Sequence, residues 1–478
     1  MDIPAFFHSR RAPAVRALIL FALLCFCPAV QAKTGNAMLL DFSMTRLGQP
    51  ESDSPTVLVV GGIQGDEPGG FSAATLLATR YAILEGSVWV VPNLNFPSII
   101  HRSRGLYGDM NRKFARLETT DPDFSTVRRI QELIRHPDVG LVLNLHDGSG
   151  YYRKEYQSKL RNPARWGQSV IIDQIDVAPG IFMGELAREA DQVSRDVNAN
   201  LIDPLHKIHV HNTNTAAGDR EMEKSLSYYA VRNGKAAFGL EASKEFPVEL
   251  RAYYHLNMVE SLLKQAGVRF RRDFTLTPAG VREALRENLE VYFADNRVYL
   301  PLEDVRPAVS YLPLPRGGHT KAVTSKPIMA VLPCKNRDGS LCIHYGNRTI
   351  TRIEPDWREM DDSLSFVRVN VDGRDEEVPF GAILLVENSL MVHAKEGFRV
   401  NAIGVDGKRR DESGLRLRRA SFIPRFSLDR QATLYRIEVY KNQSFTGMFL
   451  VRFGKKTTLA KSRDLLPAIP GKESSLGF

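Results

Sequence analysis

Two side chains that could bind one metal ion, Gln64 and Glu67, follow a short apolar run in the sequence. The run from Val57 to Val60 is rich in β-branched residues, which favours a buried strand, and the glycines after it permit a tight exit. Side chains three positions apart face the same way once a helical turn begins, so both could reach one ion. A carboxylate is an ordinary zinc ligand, but a carboxamide stands here where imidazole is expected.

A third ligand is expected at the end of a second apolar run, Leu141 to Leu145, which leads into His146. Open α/β sheets place their sites at the carboxyl ends of their strands. A single His at a strand end is more often an ordinary hydrogen-bonded residue, but the glycine-rich turn that carries Gln64 and Glu67 reverses this balance. The three side chains would form a zinc site with an open fourth position, which is the catalytic arrangement.

Fixed positive charges follow in the segment from His101 to Phe114. Arg112, together with Asn111, could hold a terminal carboxylate through bidentate hydrogen bonds. Arg104 could stabilise the oxyanion that forms when water adds to a carbonyl, and Arg102 is the alternative for this role. A solvated loop is the default for any single arginine, but the Asn-Arg pair and the metal site favour substrate binding.

The general base is expected after a third strand-like run, Ala236 to Leu240, which leads into Glu241. A carboxylate there could take a proton from water and return it to a leaving group. Glu245 is the competing candidate, and either residue alone would be an ordinary surface carboxylate.

Three histidines, His206, His209 and His211, could be mistaken for a second metal site. His209 and His211 would share one face of a strand, yet a pocket wall or a surface strand is the favoured interpretation. The region from Tyr151 to Asp219 that contains them is expected to be a substrate-facing insertion.

The first 32 residues have the pattern of an export signal. Arg10, Arg11 and Arg16 precede an apolar run from about Ala17 to Val30, which is too short to span a bilayer comfortably. We predict a cleaved signal peptide over 1–32, a periplasmic protein and no stable membrane insertion. Removing its three Arg and one Asp lowers the formal charge from +9 to +7. Because these charges are spread out and no aromatic-basic platform accompanies them, nucleic acid is not an expected partner.

The pattern of predicted secondary structure changes after about Ala266. Before it, strand-like and helix-like runs alternate, which indicates an α/β sheet; after it, short alternating strands separated by Gly, Pro and Asp indicate barrels or sandwiches. We predict a catalytic domain over 33–266, a small mostly-β domain over 267–356 and a C-terminal β domain over 357–478. Cys334 and Cys342 flank an Asp-Gly turn signal and would close a hairpin disulfide in an oxidising compartment.

Four motifs carry a resemblance to a known family: Gly61-Gly62-Ile63-Gln64-Gly65-Asp66-Glu67, Asp109-Met110-Asn111-Arg112, Asn144-Leu145-His146-Asp147 and Phe238-Gly239-Leu240-Glu241. In order and content they resemble the signatures of zinc carboxypeptidases of the carboxypeptidase A superfamily, whose pattern has His at the position of Gln64. Within it, the chain looks most like the peptidoglycan DL-carboxypeptidases that determine helical cell shape in curved Gram-negative bacteria. That group likewise has a Gln ligand and two small β domains.

The resemblance implies a mixed-sheet catalytic domain with one Zn²⁺ ion, followed by the two all-β domains. It implies release of meso-diaminopimelate from uncrosslinked peptidoglycan tripeptide stems, which leaves dipeptides, and possible contacts of the β domains with periplasmic proteins. The implied roles are zinc binding by Gln64, Glu67 and His146, carbonyl polarisation by Arg104, carboxylate binding by Asn111 and Arg112, and water activation by Glu241.

Two other functions stay open at this point. A zinc-dependent acylase of the succinylglutamate desuccinylase and aspartoacylase type would share the zinc constellation, although export and the β-rich half argue against it. A non-catalytic wall-binding protein with a decayed site would explain Gln64, although Glu67, His146 and Glu241 are all present.

The carboxamide at position 64 has a physical consequence for metal binding. Gln and neutral His carry no charge, so the net charge of the ligand set is unchanged. A carboxamide oxygen is a poorer donor to zinc than an imidazole nitrogen. We therefore predict weaker zinc retention than in a site with His at that position, with tolerance of other metals.

Overall fold

A computed structural model describes residues 40–49, 55–316, 322–405 and 410–455, so the predicted signal peptide and the C-terminal tail lie outside the described residues. The α-helices are α1 Pro68–Arg80, α2 Phe96–His101, α3 Phe124–Arg135, α4 Leu186–Asn198, α5 Leu226–Arg232, α6 Val248–Gln265 and α7 Pro278–Arg286. Short 3-10 helices span Met110–Arg112, Pro204–His206, Arg220–Lys224, Arg419–Ser421 and Pro424–Phe426.

The strands of the first part are β1 Thr45–Gly48, β2 Thr56–Val60, β3 Tyr81–Glu85, β4 Ser87–Val91, β5 Val139–Gly148, β6 Tyr151–Tyr152, β7 Arg161–Asn162, β8 Ser169–Ile172, β9 His209–Asn212, β10 Ala236–Ser243 and β11 Arg269–Arg272. Those of the second part are β12 Glu290–Phe293, β13 Val298–Pro301, β14 Ala308–Pro315, β15 Val323–Thr324, β16 Met329–Pro333, β17 Leu341–Tyr345, β18 Arg348–Arg358, β19 Phe366–Val371, β20 Arg374–Pro379, β21 Ile383–Val386, β22 Leu390–Val392, β23 Phe398–Ala402, β24 Leu434–Lys441 and β25 Ser444–Phe453.

A seven-stranded mixed sheet organises the first part, in the order β1-β4-β2-β5-β10-β8-β9. Its four central strands run parallel, whereas β1 is antiparallel to β4 and β8 is antiparallel to β10. Every residue of β2, β4 and β10 is buried, as expected for strands covered on both faces. Helix α6 packs against α1, α4 and α7, while α3 and α5 contact β5.

Two further apolar cores occupy the β-rich part. The first gathers side chains from 289–353 and is completed by residues of β24 and β25, including Tyr440, Phe445 and Met448. The second is built from residues between Val367 and Phe453. The last two strands therefore serve both cores, because their opposite faces point into different clusters.

The predicted fold class is confirmed: a mixed α/β sheet is followed by all-β modules. The apolar runs predicted from Val57, Leu141 and Ala236 lie in the strands β2, β5 and β10. The Cys334–Cys342 disulfide is also present, joining β17 to the residue after β16. None of the helices in the described ranges is long and apolar enough to cross a membrane.

The structure adds detail around the predicted domain boundaries. Helix α7 contributes Val281, Ala284 and Leu285 to the core of the catalytic part, although it follows position 266. Strand β18 runs continuously through position 357. The division into 33–266, 267–356 and 357–478 remains a prediction.

Candidate active site

The predicted ligands and base lie at the carboxyl edge of the central strands. Gln64 and Glu67 belong to the turn between β2 and α1, and Glu67 is the residue that precedes the helix. His146 lies near the end of β5 and Glu241 near the end of β10. The parallel register pairs Glu241 directly with His146, so both side chains emerge on the same face of the sheet.

Two oxygen atoms that could bind a metal lie next to the His146 imidazole. The Gln64 Oε1 atom lies 3.1 Å from His146 Nδ1, and the Glu67 Oε2 atom lies 3.0 Å from the same nitrogen. A ring nitrogen carries at most one hydrogen, so it cannot satisfy two acceptors fully, whereas a shared cation would. Amide oxygen, carboxylate and imidazole are all metal donors, and all three side chains are buried. The donor set therefore fits a metal ion.

The donor set differs from the common metal clusters of acidic, His and Cys side chains. No group of three or more His, Cys, Asp or Glu side chains suited to a metal occurs in the described part of the chain. Here the third donor is the amide oxygen of Gln64.

Asp109 fixes the orientation of Gln64. Its Oδ1 accepts a hydrogen bond of 2.8 Å from Gln64 Nε2, which turns the amide oxygen toward His146. The other oxygen, Oδ2, accepts a hydrogen bond of 2.9 Å from Arg104 Nε. Burial alone would raise the pKa of Asp109, but the bond from Gln64 and the charge of Arg104 hold it below its ordinary value.

The two oxygens of Glu67 have separate partners. Oε2 faces His146 and accepts a hydrogen bond of 3.1 Å from the Asp147 backbone N–H. Oε1 lies 3.3 Å from Lys244 Nζ and 3.5 Å from Arg104 Nη1. One oxygen is therefore directed to the donor cluster while the other is held by two cations.

Asp147 is a buried carboxylate behind the site. It accepts hydrogen bonds from the Gly69 backbone N–H at 2.8 Å and Arg251 Nη1 at 3.1 Å, and it lies 3.1 Å from His255 Nε2. Burial alone would raise its pKa, but the bond to His255 and the neighbouring positive charges keep the pKa low. This network ties β5 to the first turn of α1 and to α6, and so positions Glu67 and His146.

Glu241 has the environment of an acid–base group. The residue is 8% exposed, and its Oε2 has no hydrogen-bond partner within the described ranges. Burial, together with the negative charges of Glu67 and Asp147, raises the pKa of Glu241 well above its ordinary value. A methyl group at Gly148 would lie 2.7 Å from that oxygen, so a residue without a side chain leaves room for it.

A cavity of 260 Å³ opens over these groups. Arg104 and Arg112 supply positive charge, and the amide nitrogen of Asn111 lies 3.5 Å from His146 Nε2. The Asn111 oxygen already accepts a hydrogen bond from the Leu226 N–H, which leaves the amide hydrogens to face the cavity. Apolar wall is provided by Trp166, Ile171 and Met222.

The alternative residues lie elsewhere. Arg102 ends α2 in a left-handed conformation (φ 53°) and lines a different pocket. Glu245 is exposed and does not line the cavity.

Two of the three histidines have different aromatic partners. His211 stacks on Tyr152 with ring centres 4.0 Å apart and also meets Trp166. His206 packs on Phe246, and its Nδ1 lies 2.8 Å from the Tyr254 hydroxyl. These contacts favour the interpretation that His206 and His211 form part of a wall of the insertion rather than a metal site.

Sequence reasoning did not assign several residues that shape the site. Asp109 stands inside a motif and Lys244 lies three residues after one, but nothing in their spacing shows that they hold Gln64 and Glu67. Arg251 and His255 are four residues apart on α6, which places them on one helix face and was the available signal for a shared partner.

Comparison with protein families agrees with this geometry. The catalytic profile of carboxypeptidases controlling helical cell shape matches residues 21–286, which is more than half of the chain. The chain belongs to this family. A second profile, the C-terminal domain of metallo-carboxypeptidases, matches residues 360–454. A metallopeptidase family implies a metal ion, which is consistent with the donor set.

Solved structures of the cell shape determinant protein Csd4 from Helicobacter pylori are similar to the present chain over most of its length. The apo and tripeptide-bound structures are each 39% identical to it, with a TM-score of 0.80, covering 87% of this chain and 100% of theirs. A form bound to mDAP, described as a D,L-carboxypeptidase, is 39% identical with a TM-score of 0.80, covering 86% and 100%. The comparison with curated proteins produced no match.

Proposed function

We propose that this protein is a periplasmic zinc-dependent D,L-carboxypeptidase that trims uncrosslinked peptidoglycan tripeptide stems to dipeptides and thereby influences cell shape. The released residue would be meso-diaminopimelate. The observation that carries the proposal is the convergence of Gln64, Glu67 and His146 on one point beside Glu241. Family membership and the tripeptide and mDAP bound to the similar Csd4 structures support the substrate.

Substrate binding is assigned to the polar side of the cavity. The Arg112 guanidinium and the amide group of Asn111 would hold the terminal carboxylate of the stem peptide. Arg104 would donate to the carbonyl oxygen as negative charge develops on it. This positions the scissile bond next to the unpartnered oxygen of Glu241.

Glu241 would perform both proton transfers. As a carboxylate it takes a proton from the attacking water, and as an acid it returns that proton to the amine of the released residue. Gln64, Glu67 and His146 would hold the zinc ion, which when bound supplies Lewis acidity for the water and the carbonyl. The wall formed by Trp166, Ile171 and Met222 would limit access of bulk water.

The setting of the enzyme is part of the same proposal. Residues 1–32 would direct export and be removed, and the disulfide suits an oxidising compartment. We assign catalysis to the domain predicted over 33–266 and contacts with wall or periplasmic proteins to the two β domains.

The test is the muropeptide profile of tripeptide-rich sacculi incubated with the zinc-loaded protein. We expect tripeptide peaks to fall and dipeptide peaks to rise. Glu241→Ala should lower kcat by about 10²- to 10⁴-fold, because the proton-transfer group is lost.

The exposed neighbour provides the control, since Glu245→Ala should keep normal activity. Unchanged tripeptides with wild-type protein would reject the substrate assignment. If the Glu241→Ala variant were as active as the wild type, the assignment of Glu241 as the base would be rejected.

A further inference from the structure

A second cavity, which we call the junction pocket, lies between the catalytic part and the first β module. It also measures 260 Å³ and is lined by the first turn of α1, the end of α2, α6, α7 and the strands β17 and β18 with their connecting turn. It shares no lining residue with the active-site cavity. The pocket is therefore a separate feature of the molecule.

Apolar side chains form most of its wall. Phe71 and Ile328 belong to a small core that joins the two parts of the chain, and Leu285, Leu289 and Ile350 extend the apolar surface. The volume is below the roughly 300–1,000 Å³ of pockets for drug-sized ligands. It suits one bulky apolar side chain as an anchor.

The rim carries an excess of positive charge, with four arginines and one glutamate in the lining. Arg102, Arg286 and Arg348 line the pocket and are exposed, and none forms an ion pair in the described part of the chain. The one acid of the lining, Glu249, is already bound to Arg282 at 2.7 Å. A ligand with two or more carboxylates around an apolar group would match this charge.

Tyr345 gives a second sign of a missing partner. It lines the pocket, and its hydroxyl is buried without a hydrogen-bond partner among the described residues. Burial raises the pKa of Tyr345, so the hydroxyl keeps its proton and remains a donor. A buried donor without an acceptor is costly, so this part of the pocket wall is incompletely satisfied.

We propose that the junction pocket binds an acidic peptide segment of a partner protein, which inserts one bulky apolar side chain and places flanking carboxylates on the three arginines. The arginines come from α2, α7 and β18, so they are spread around the opening and fit an extended chain better than a single anionic group. The occupant would also touch Pro68, the residue after Glu67. The site is independent of the proposed hydrolytic activity.

Calorimetric titration with blocked peptides tests this inference on the full protein. The probe is acetyl-Asp-Glu-Phe-Glu-Asp-amide, which has no free carboxyl terminus and cannot serve as a carboxypeptidase substrate. We expect binding that weakens with salt and that falls at least tenfold in the double variant Arg286→Glu, Arg348→Glu. Replacing the central Phe of the probe by Ser should also weaken binding at least tenfold.

A matched variant controls for general charge. Arg374 on β20 is likewise exposed and without an ion pair in the described ranges, so Arg374→Glu should bind the probe normally. Absence of binding to the wild type, equal binding by both charge variants, or equal binding of acetyl-Lys-Arg-Phe-Arg-Lys-amide would each overturn the proposal. Phosphatidylglycerol vesicles provide a further test. If the wild type binds the vesicles, the double variant does not, and the peptide binds neither, the ligand is a lipid and the peptide proposal is overturned.

Discussion

At the scale of single residues, the site depends on which partner each polar atom contacts. Gln64 turns its oxygen toward His146 because its nitrogen is held by Asp109. Glu67 directs one oxygen to the same point, while Lys244 and Arg104 hold the other. These second partners fix ligand orientation, and such outer contacts commonly tune metal sites.

Replacing Gln64 by His should strengthen zinc binding. Imidazole nitrogen is the better donor, and its second nitrogen could donate to Asp109 in place of the Gln64 amide. We expect the Gln64→His variant to retain zinc at least tenfold more tightly in a chelator competition. Gln131→His, on α3, should leave retention unchanged, and a Gln64→His variant with wild-type retention would contradict the prediction.

Removing the charge of Lys244 should alter the pH dependence of hydrolysis. The Lys244 cation lowers the pKa of Glu241, against the larger effects of burial and Glu67, which raise it. In Lys244→Met the pKa of the base rises further, so the acid limb of the kcat/KM profile moves to higher pH.

The Lys244→Arg variant keeps the charge and serves as the control, with its acid limb near that of the wild type. If the pH profiles of the Lys244→Met variant and the wild type superimposed, the Lys244 cation would have no effect on Glu241.

At the scale of elements, α7 belongs physically to the catalytic part. Its apolar face packs on α6, and Arg80 of α1 forms ion pairs with Asp273 and Glu287 on either side of it. Burial of Val281, Ala284 and Leu285 should contribute several kcal/mol, since a fully buried large apolar side chain contributes about 1.5–3 kcal/mol.

Truncation tests this assignment. A protein ending after Ala266 should unfold at a clearly lower temperature than one ending after Glu287. Equal melting temperatures by differential scanning calorimetry would show that α7 does not stabilise the catalytic core.

The sequence predicted elements well where burial is simple. The strands β2, β5 and β10 are mostly apolar, and three of the four motifs lie at their carboxyl ends, so the candidate ligands and Glu241 could be predicted from local pattern. Strand β20 was missed because its sequence, Arg374–Pro379, is mostly charged and exposed. The Asp147–Arg251–His255 network was missed because its members meet only through packing of α6 on β5 and α1.

At the scale of the whole molecule, a buried lysine lies where the catalytic part meets the β module. Lys326 is 3% exposed, and burial together with the charge of Arg80 lowers its pKa to about 8. Because the charged form is disfavoured in the folded protein, stability is greatest above the unfolded pKa of about 10.4 and falls as pH drops through 8.

The Lys326→Met variant should therefore be more stable than the wild type at pH 7, by up to about 3 kcal/mol, and should lose this advantage near pH 10.5. Urea denaturation of both proteins across that range measures the difference. A constant difference between the two stability curves would contradict the lowered pKa.

The pairing of β10 with β5 also bears on how activity is acquired. Glu241 reaches His146 only when two strands far apart along the chain come into register, and contacts of such long sequence separation form slowly. The proposed metal ligands from the β2 turn and β5 precede that strand in the chain. Refolding should thus restore helical signal before hydrolysis, so a newly made chain would stay inactive until its central sheet is complete.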